Sequence, residues 1–289
     1  MNTHQERRQL INLAYRLLGS LADAEDVVQE TYARWYALSP PEQQVIENPA
    51  AWLTKVASRI CLTQLSSARV RRETYVGEWI PEPIPDPAER RVDDPADRIT
   101  LDESVSMAFL VVLESLTPAE RVSFILHDVF RYPFKEIADI VGRSPAACRQ
   151  LASSARRRLT AAPPTPAAVQ SRIVRDFKHA WESRDIQALI ALLDPDAGTT
   201  TDTGGHAPVF VRSLTGADRI AGTFAKFAAR LTRLTIKECI VNGRPGLRAE
   251  SHGTTVTVYA FDTTADRITH IWAIRNPTKL DAWQSPLCE

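Results

Sequence analysis

Residues 133–159 read P-F-K-E-I-A-D-I-V-G-R-S-P-A-A-C-R-Q-L-A-S-S-A-R-R-R-L. Phe134, Ile137, Ala138 and Val141 recur at the spacing of one helical stripe. Gly142 fits a helix stop, and Ser144 followed by Pro145 fits an N-cap and a first helical position. In the second helix Cys148, Leu151, Ala152, Ala155 and Leu159 share a face, which puts Arg149, Gln150, Ser153, Arg156 and Arg157 opposite. Five arginines and no acid lie between Arg143 and Leu159. A helix-turn-helix presents such a face to the major groove, where Arg and Gln read base edges and Arg holds phosphates. A solvated face on an ordinary helical hairpin carries the same pattern, so this stretch alone leaves both readings open.

Working outward, the 289 residues suffice for two or three compact units. The chain is 44% hydrophobic and 24% charged, which suits a globular protein. It has no apolar run long enough for a membrane span. The N-terminal M-N-T-H-Q-E-R-R leads into an amphipathic helix and not an apolar signal core, so a cytoplasmic location is expected. Cys61, Cys148, Cys239 and Cys288 are scattered with no C-x-x-C pair, so neither a zinc site nor any other cofactor is expected.

Net charge is zero, which argues against a uniformly basic nucleic-acid binder. The charge is sorted locally, however. Residues 50–75 hold five cations and one acid, while residues 78–103 hold nine acids and three cations. Two basic patches around an acidic tether suggest two DNA contacts joined by a segment that avoids DNA.

Residues 2–18 form a first helix with Leu10, Leu13, Leu17 and Leu18 inside. Ser20 then caps a second helix whose stripe is Ala24, Val27, Val28, Thr31, Tyr32 and Trp35. Its other face holds Asp23, Glu25, Asp26, Gln29, Glu30 and Arg34: a docking face for a basic partner, or a solvated acidic face near a helix N-terminus. Pro49 opens a third helix reaching about Arg72, with Leu53, Val56, Ala57 and Ile60 inside. Trp52, Lys55, Arg59, Thr63, Gln64, Arg69, Arg71 and Arg72 mix an aromatic with cations and polar groups, as opened DNA requires; core packing is an equal reading for Trp52.

Pro81, Pro83, Pro85, Pro87 and Pro95 make residues 78–97 an extended tether, with Trp79-Ile80 as its apolar anchor. A helix is expected over residues 100–116, then one capped by Thr117 and Glu120 with Val122, Ile125, Leu126 and Val129 inside. His127 belongs to this bundle. After a second linker at 161–167 come two helices over 168–193, a turn region from Asp194 to Gly205 and a helix over 216–231. Strands are expected over 232–241, 247–250, 254–261 and 267–275, with Ile268, His270, Trp272 and Ile274 on one face. Helices followed by antiparallel strands indicate an α+β unit. His206, His252, His270, Trp272, Asp202 and Tyr259 either line a pocket there or are ordinary loop and core residues.

The run Gly19-Ser20-Leu21-Ala22-Asp23-Ala24-Glu25-Asp26-Val27-Val28-Gln29-Glu30-Thr31, continued by Pro49-Ala50-Ala51-Trp52-Leu53, resembles region two of extracytoplasmic-function sigma factors. Residues 116–159 resemble their region four. The remainder is similar to the subgroup with a fused C-terminal SnoaL-like domain, the SigJ-type proteins among them. Trp79-Ile80-Pro81-Glu82-Pro83 is similar to that subgroup's W-L-P-E-P linker motif, and Asn276-Pro277-Thr278-Lys279-Leu280 to its N-P-D-K-L. Asp202-Thr203-Gly204-Gly205-His206 stands where the subgroup has D-G-G-G-K, with two positions changed.

The resemblance implies a multidomain fold: two all-α sigma domains, then an α+β SnoaL-like domain built on a cone-shaped curved sheet. The implied boundaries are 1–76 for region two, 77–99 for the linker, 100–160 for region four, 161–167 for a second linker and 168–289 for the SnoaL-like domain. The implied function is that of an RNA polymerase sigma factor, not an enzyme, which directs the core to promoters and whose fused domain modulates it. Asp23, Glu25, Asp26, Gln29, Glu30 and Arg34 would bind the core β′ clamp helices, with the β subunit as a further partner. The third helix would open the −10 element. Arg143, Ser144, Arg149, Gln150, Ser153, Arg156 and Arg157 would bind the −35 element. The fused domain would replace a separate anti-sigma factor, with an unknown small ligand as a further expectation. Trp79–Pro83, Asp202, Gly204, Gly205, His206, Asn276, Pro277, Lys279 and Leu280 would form the regulatory contact. Two other readings remain. One is a SnoaL-type enzyme or ligand sensor with Asp202, His206 or His270 as acid/base and a DNA-binding regulator as its N-terminal half. The other is a repressor dimer, disfavoured by two dissimilar DNA-binding patches.

Overall fold

The structure, a computed structural model, describes residues 3–73, 77–86, 105–159, 165–205, 213–228 and 234–284. His206, residues 87–104 of the tether and helix, and residues 161–164 of the second linker lie outside them, as do the side chains of Arg69, Arg71 and Arg72. Among the described residues, 3–73 and 109–159 form one compact all-helical unit. Described residues 77–86, 105–108, 165–205, 213–228 and 234–284 form a second, α+β unit.

In the helical unit α1 (Thr3–Leu18) and α2 (Leu21–Tyr36) meet at Ser20, whose Oγ accepts the Asp23 N–H at 3.2 Å. The short α3 (Pro40–Val45), not expected from periodicity, is set by a capping box between Ser39 and Glu42. Helix α4 runs Pro49–Glu73. Leu10, Ile11, Leu13 and Leu17 pack with Val27, Val28, Leu53, Ala57 and Ile60 in the core. Tyr32 and Trp35, expected inside, are only half-buried.

The described part of the helix expected at 100–116 is shorter: α5 spans Met107–Glu114. Helix α6 (Pro118–Phe124) opens on the expected box, with Glu120 Oε2 accepting the Thr117 N–H and Thr117 Oγ1 accepting the Glu120 N–H. The expected stripe through Val129 assumes an unbroken α-helix. Instead a π turn covers Ile125–Val129, Phe130 N–H bonding the Ile125 carbonyl, and Val129 ends half-buried. Helix α7 (Phe134–Val141) ends at Gly142 with φ 70°, and α8 (Pro145–Arg158) begins with Ser144 Oγ accepting the Ala147 N–H. Ile137, Ala138 and Ile140 are buried, Ile140 taking the place expected of Val141.

The α+β unit starts with α9 (Ala167–Ser183) and α10 (Ile186–Leu192). Residues 194–205 are not the expected turn region. Strand β1 runs Leu193–Asp202, with a register irregularity between Leu193 and Gly198, and the β-branched run Thr199–Thr201 pairs in parallel with the last strand. There follow β2 (Ser213–Thr215), α11 (Ala217–Ala228), β3 (Thr235–Val241), β4 (Arg244–Ser251), β5 (Thr254–Thr264) and β6 (Arg267–Ile274). The strand order is β2-β1-β6-β5-β4-β3, antiparallel except for β1 beside β6.

Three register shifts bend this sheet around α9, α10 and α11, giving the helix-covered curved sheet expected of the C-terminal domain. One shift corrects the expected alternation in β6. His270 pairs with Asp262 and Ile268 with Thr263, so Thr269 is the extra residue. Ile268 and Ile271 therefore join the core under the helices, while His270, Trp272 and Ile274 face the other way.

Candidate functional site

On the helical unit, Asp26, Gln29, Glu30 and Arg34 are exposed along α2, with Asp23 and Glu25 half-buried beside them. Arg34 Nε bonds Glu30 Oε1 at 2.8 Å. The face is polar, and α1 packs against the helix on its other side.

On α4, Trp52 is half-buried against Trp35, ring centroids 5.3 Å apart. Thr63 is exposed and Gln64 half-buried. Lys55 and Arg59 are occupied within the unit. Lys55 Nζ lies 3.3 Å from Asp139 Oδ2, and Arg59 Nη2 donates to the Asp139 carbonyl at 2.7 Å. Tyr132 O–H donates to Thr54 Oγ1 at 3.0 Å nearby. Arg121 strengthens the same packing. It is 3% exposed, donates to the Leu17 carbonyl at 2.9 Å, pairs with Glu114 at 2.7 Å, and burial pulls its pKa down to about 10.

On α8, Arg149, Gln150, Arg156 and Arg157 are exposed and Ser153 half-buried, while Arg143 and Ser144 are exposed at its start. Together with Glu120, Ala147 and Ser154 the helix borders an open groove. Two of its cations are already oriented: Arg149 sits 5.4 Å over the Phe134 ring, and Arg156 forks onto both carboxylate oxygens of Asp128 at 2.7 and 3.1 Å. His127, as expected, belongs to the bundle, its Nδ1 3.0 Å from the Tyr132 carbonyl oxygen and its ring stacked on Phe134.

The α+β unit brings the three linker-related motifs together at one carboxylate. Asp202, fully buried at the end of β1, accepts the Ile80 N–H on Oδ2 at 3.1 Å and the Gly204 N–H on Oδ1 at 3.0 Å. Lys279 Nζ reaches the same Oδ2 at 2.7 Å and donates to the Ile80 carbonyl; it also lies 4.3 Å over the Trp79 ring. Asn276 caps the short turn Pro277–Lys279, accepting the Thr278 N–H, and so aims Lys279. Gly204 and Gly205 have φ of 61° and 76°; a Cβ on Gly204 would lie 2.5 Å from Asn276. Pro81, Glu82, Pro83 and Leu280 are buried, and Trp283, which periodicity did not single out, donates from Nε1 to the Pro83 carbonyl at 2.9 Å.

Of the six residues considered for a pocket, the five described ones do not converge. Tyr259 points under the helices, where Trp181, Phe177, Phe224 and Phe261 fill the space around it. His270 and Trp272 are on the opposite face, their rings 4.7 Å apart, and His270 Nε2 is 2.9 Å from Thr200 Oγ1. Burial lowers the His270 pKa to about 4. His252 is exposed in the β4–β5 turn and Asp202 is held by Lys279. Among the described residues no three His, Cys, Asp or Glu side chains are grouped to hold a metal ion, and no helix is long and apolar enough to cross a membrane.

These helices match known families. Residues 3–71 match Sigma-70 region 2 and residues 106–159 match Sigma-70, region 4. The ECF RNA polymerase sigma factor SigJ of Mycobacterium tuberculosis is 37% identical over 300 residues, covering 98% of this chain and 93% of that protein. SigG of the same species is 30% identical, covering 96% and 81%. The crystal structure of Mycobacterium tuberculosis SigJ superposes with a TM-score of 0.79 at 34% identity, covering 99% and 98%. With both DNA-binding regions matched and a relative aligned along nearly its whole length, the chain belongs to the extracytoplasmic-function sigma factors, which bind RNA polymerase and promoter DNA to initiate transcription.

Proposed function

We propose that the fused domain regulates this sigma factor by holding its linker, and that the candidate residues divide the work as follows. Asp23, Glu25, Asp26, Gln29, Glu30 and Arg34 dock on the β′ clamp helices of the core. Trp52, Lys55, Arg59, Thr63, Gln64, Arg69, Arg71 and Arg72 engage the −10 element. Arg143, Ser144, Arg149, Gln150, Ser153, Arg156 and Arg157 engage the −35 element. Trp79–Pro83 with Asp202, Gly204, Gly205, His206, Asn276, Pro277, Lys279 and Leu280 form the regulatory contact, on a division of the chain into 1–76, 77–99, 100–160, 161–167 and 168–289. The protein acts in the cytoplasm, is not an enzyme, and needs no separate anti-sigma factor.

One observation carries this reading: Lys55 and Arg59 are bonded to Asp139 of the helix-turn-helix. Elements named −10 and −35 lie about 25 base pairs apart, or about 85 Å at 3.4 Å per pair. Groups 3.3 Å apart cannot serve both at once, so the two helical regions must part on a promoter. A domain that holds the chain between them controls that parting. Run-off transcription with core polymerase on a randomised promoter pool tests the reading. Promoter-dependent transcripts from the full chain, changed in amount by Trp79→Ala, are expected; transcripts that ignore Trp79→Ala would remove the regulatory role.

A further inference from the structure

We propose that Asn242, at the β3–β4 turn, is a clasp that fastens both ends of the tether between the two helical regions. This deepens the reading of the fused domain as a linker-holding regulator and rests on it.

The geometry is specific to this side chain. Asn242 Oδ1 accepts the Ile84 N–H at 2.9 Å, while Asn242 Nδ2 donates to the Val105 carbonyl at 2.8 Å. The Asn242 backbone N–H closes the first contact by donating to the Ile84 carbonyl at 2.8 Å. Pro85 forms a bridge with Val241 beside it. Asn242 is 1% exposed and Ile84 and Val105 are fully buried, so water does not compete for these bonds. Its φ of 53° is a conformation that Asn and Gly tolerate and branched residues do not. The amide orientation is fixed by its partners, since Ile84 offers a donor and Val105 an acceptor. Asp lacks the donor and Gly lacks both groups.

The consequence is a matter of chain length. Twenty residues separate Ile84 from Val105, and α5, the first helix of the region-four match, begins two residues after Val105. Whatever path those twenty take, their ends are held about 8 Å apart by one carboxamide. A proline-rich chain of that length reaches about 65 Å when extended. Engaging or releasing Asn242 therefore changes the usable tether by most of the distance that promoter binding requires. The Lys279–Asp202 contact holds Ile80, upstream of this segment, whereas the Asn242 carboxamide bonds both of its ends.

The test places spin labels on cysteines introduced at Glu78 and Ala108 of the full chain and reads their distance distribution without polymerase. A single short distance is expected in the parent, and a long component in Asn242→Gly, which keeps the positive φ and deletes both bonds. Asn242→Asp keeps the bond to Ile84 and loses the one to Val105, and the same long component is expected. Should Asn242→Gly fail to fold, Asn242→Asp decides alone. An unchanged distribution in the folded variants would overturn the clasp. Because this readout needs no transcription, it separates from the broader reading: absence of transcripts from every form would remove the sigma-factor account while leaving the distances as they are.

Discussion

Lys279 and Asp202 form a buried ion pair, Nζ to Oδ2 2.7 Å, with side chains 9% and 0% exposed. The carboxylate also accepts the Ile80 N–H and the ammonium donates to the Ile80 carbonyl, so the pair reads the backbone of the linker directly. Removing one partner leaves the other charge buried. Lys279→Met should destabilise the α+β unit by about 3–5 kcal/mol. Adding Asp202→Asn in the double variant should return much of that loss. Denaturant unfolding of the single and double variants measures both, and additive losses would contradict the pairing.

His270 is neutral in the fold, with its pKa lowered by burial to about 4 from 6.5. A depressed pKa contributes stability that is complete above pH 6.5 and is lost as pH falls through 4, because only the unfolded chain then binds the proton readily. The effect is at most about 3 kcal/mol. Stability measured from pH 7 to pH 4 should fall more steeply in the parent than in His270→Gln; parallel curves would contradict the assignment.

The ion pair between Lys55 and Asp139 is exposed, at 38% and 64%. Its loss in Asp139→Ala should cost under about 1 kcal/mol of stability. Freed of this partner, Lys55 should meet a phosphate more readily. Filter binding of the full chain to promoter DNA is expected to tighten, while the melting temperature stays close to the parent's. Weaker binding would contradict the packed arrangement as a restraint.

Arg149 and Gln150 are exposed at the start of α8, whereas Arg157 lies two turns on among the last three arginines. Gln150→Ala should cost about 1–3 kcal/mol at one base position of the −35 element and relax preference there. Arg157→Ala should weaken binding evenly across sequences and reduce its salt dependence. A promoter-variant panel at two salt concentrations distinguishes the two effects.

The helix-turn-helix was legible because its punctuation is local: Gly142 carries the positive φ, and Ser144 the cap, that their residue types foretell. The docking of Trp79 and Ile80 was legible from an apolar anchor in a charged tether. Strand β1 was not, because Asp194-Pro195-Asp196 and Gly198 look like a turn and only the parallel partner β6 makes the stretch a strand. The faces of β6 were misread because the bulge at Thr269 depends on pairing across to β5. Asn242 stands in an Asn-Gly pair, which by itself signals only a turn. Its partners lie 158 and 137 positions away, a separation that periodicity cannot see. The π turn at Ile125–Val129 likewise follows an unbroken apolar spacing.

The central claim is that this sigma factor is regulated by its own C-terminal domain through the linker. Run-off transcription with core polymerase, comparing the full chain with Lys279→Met at equal core occupancy, tests it most directly. The account predicts promoter-dependent transcripts from both proteins, with a several-fold difference in amount between them. Equal transcription from the two, with the variant's linker shown to be released, would contradict it.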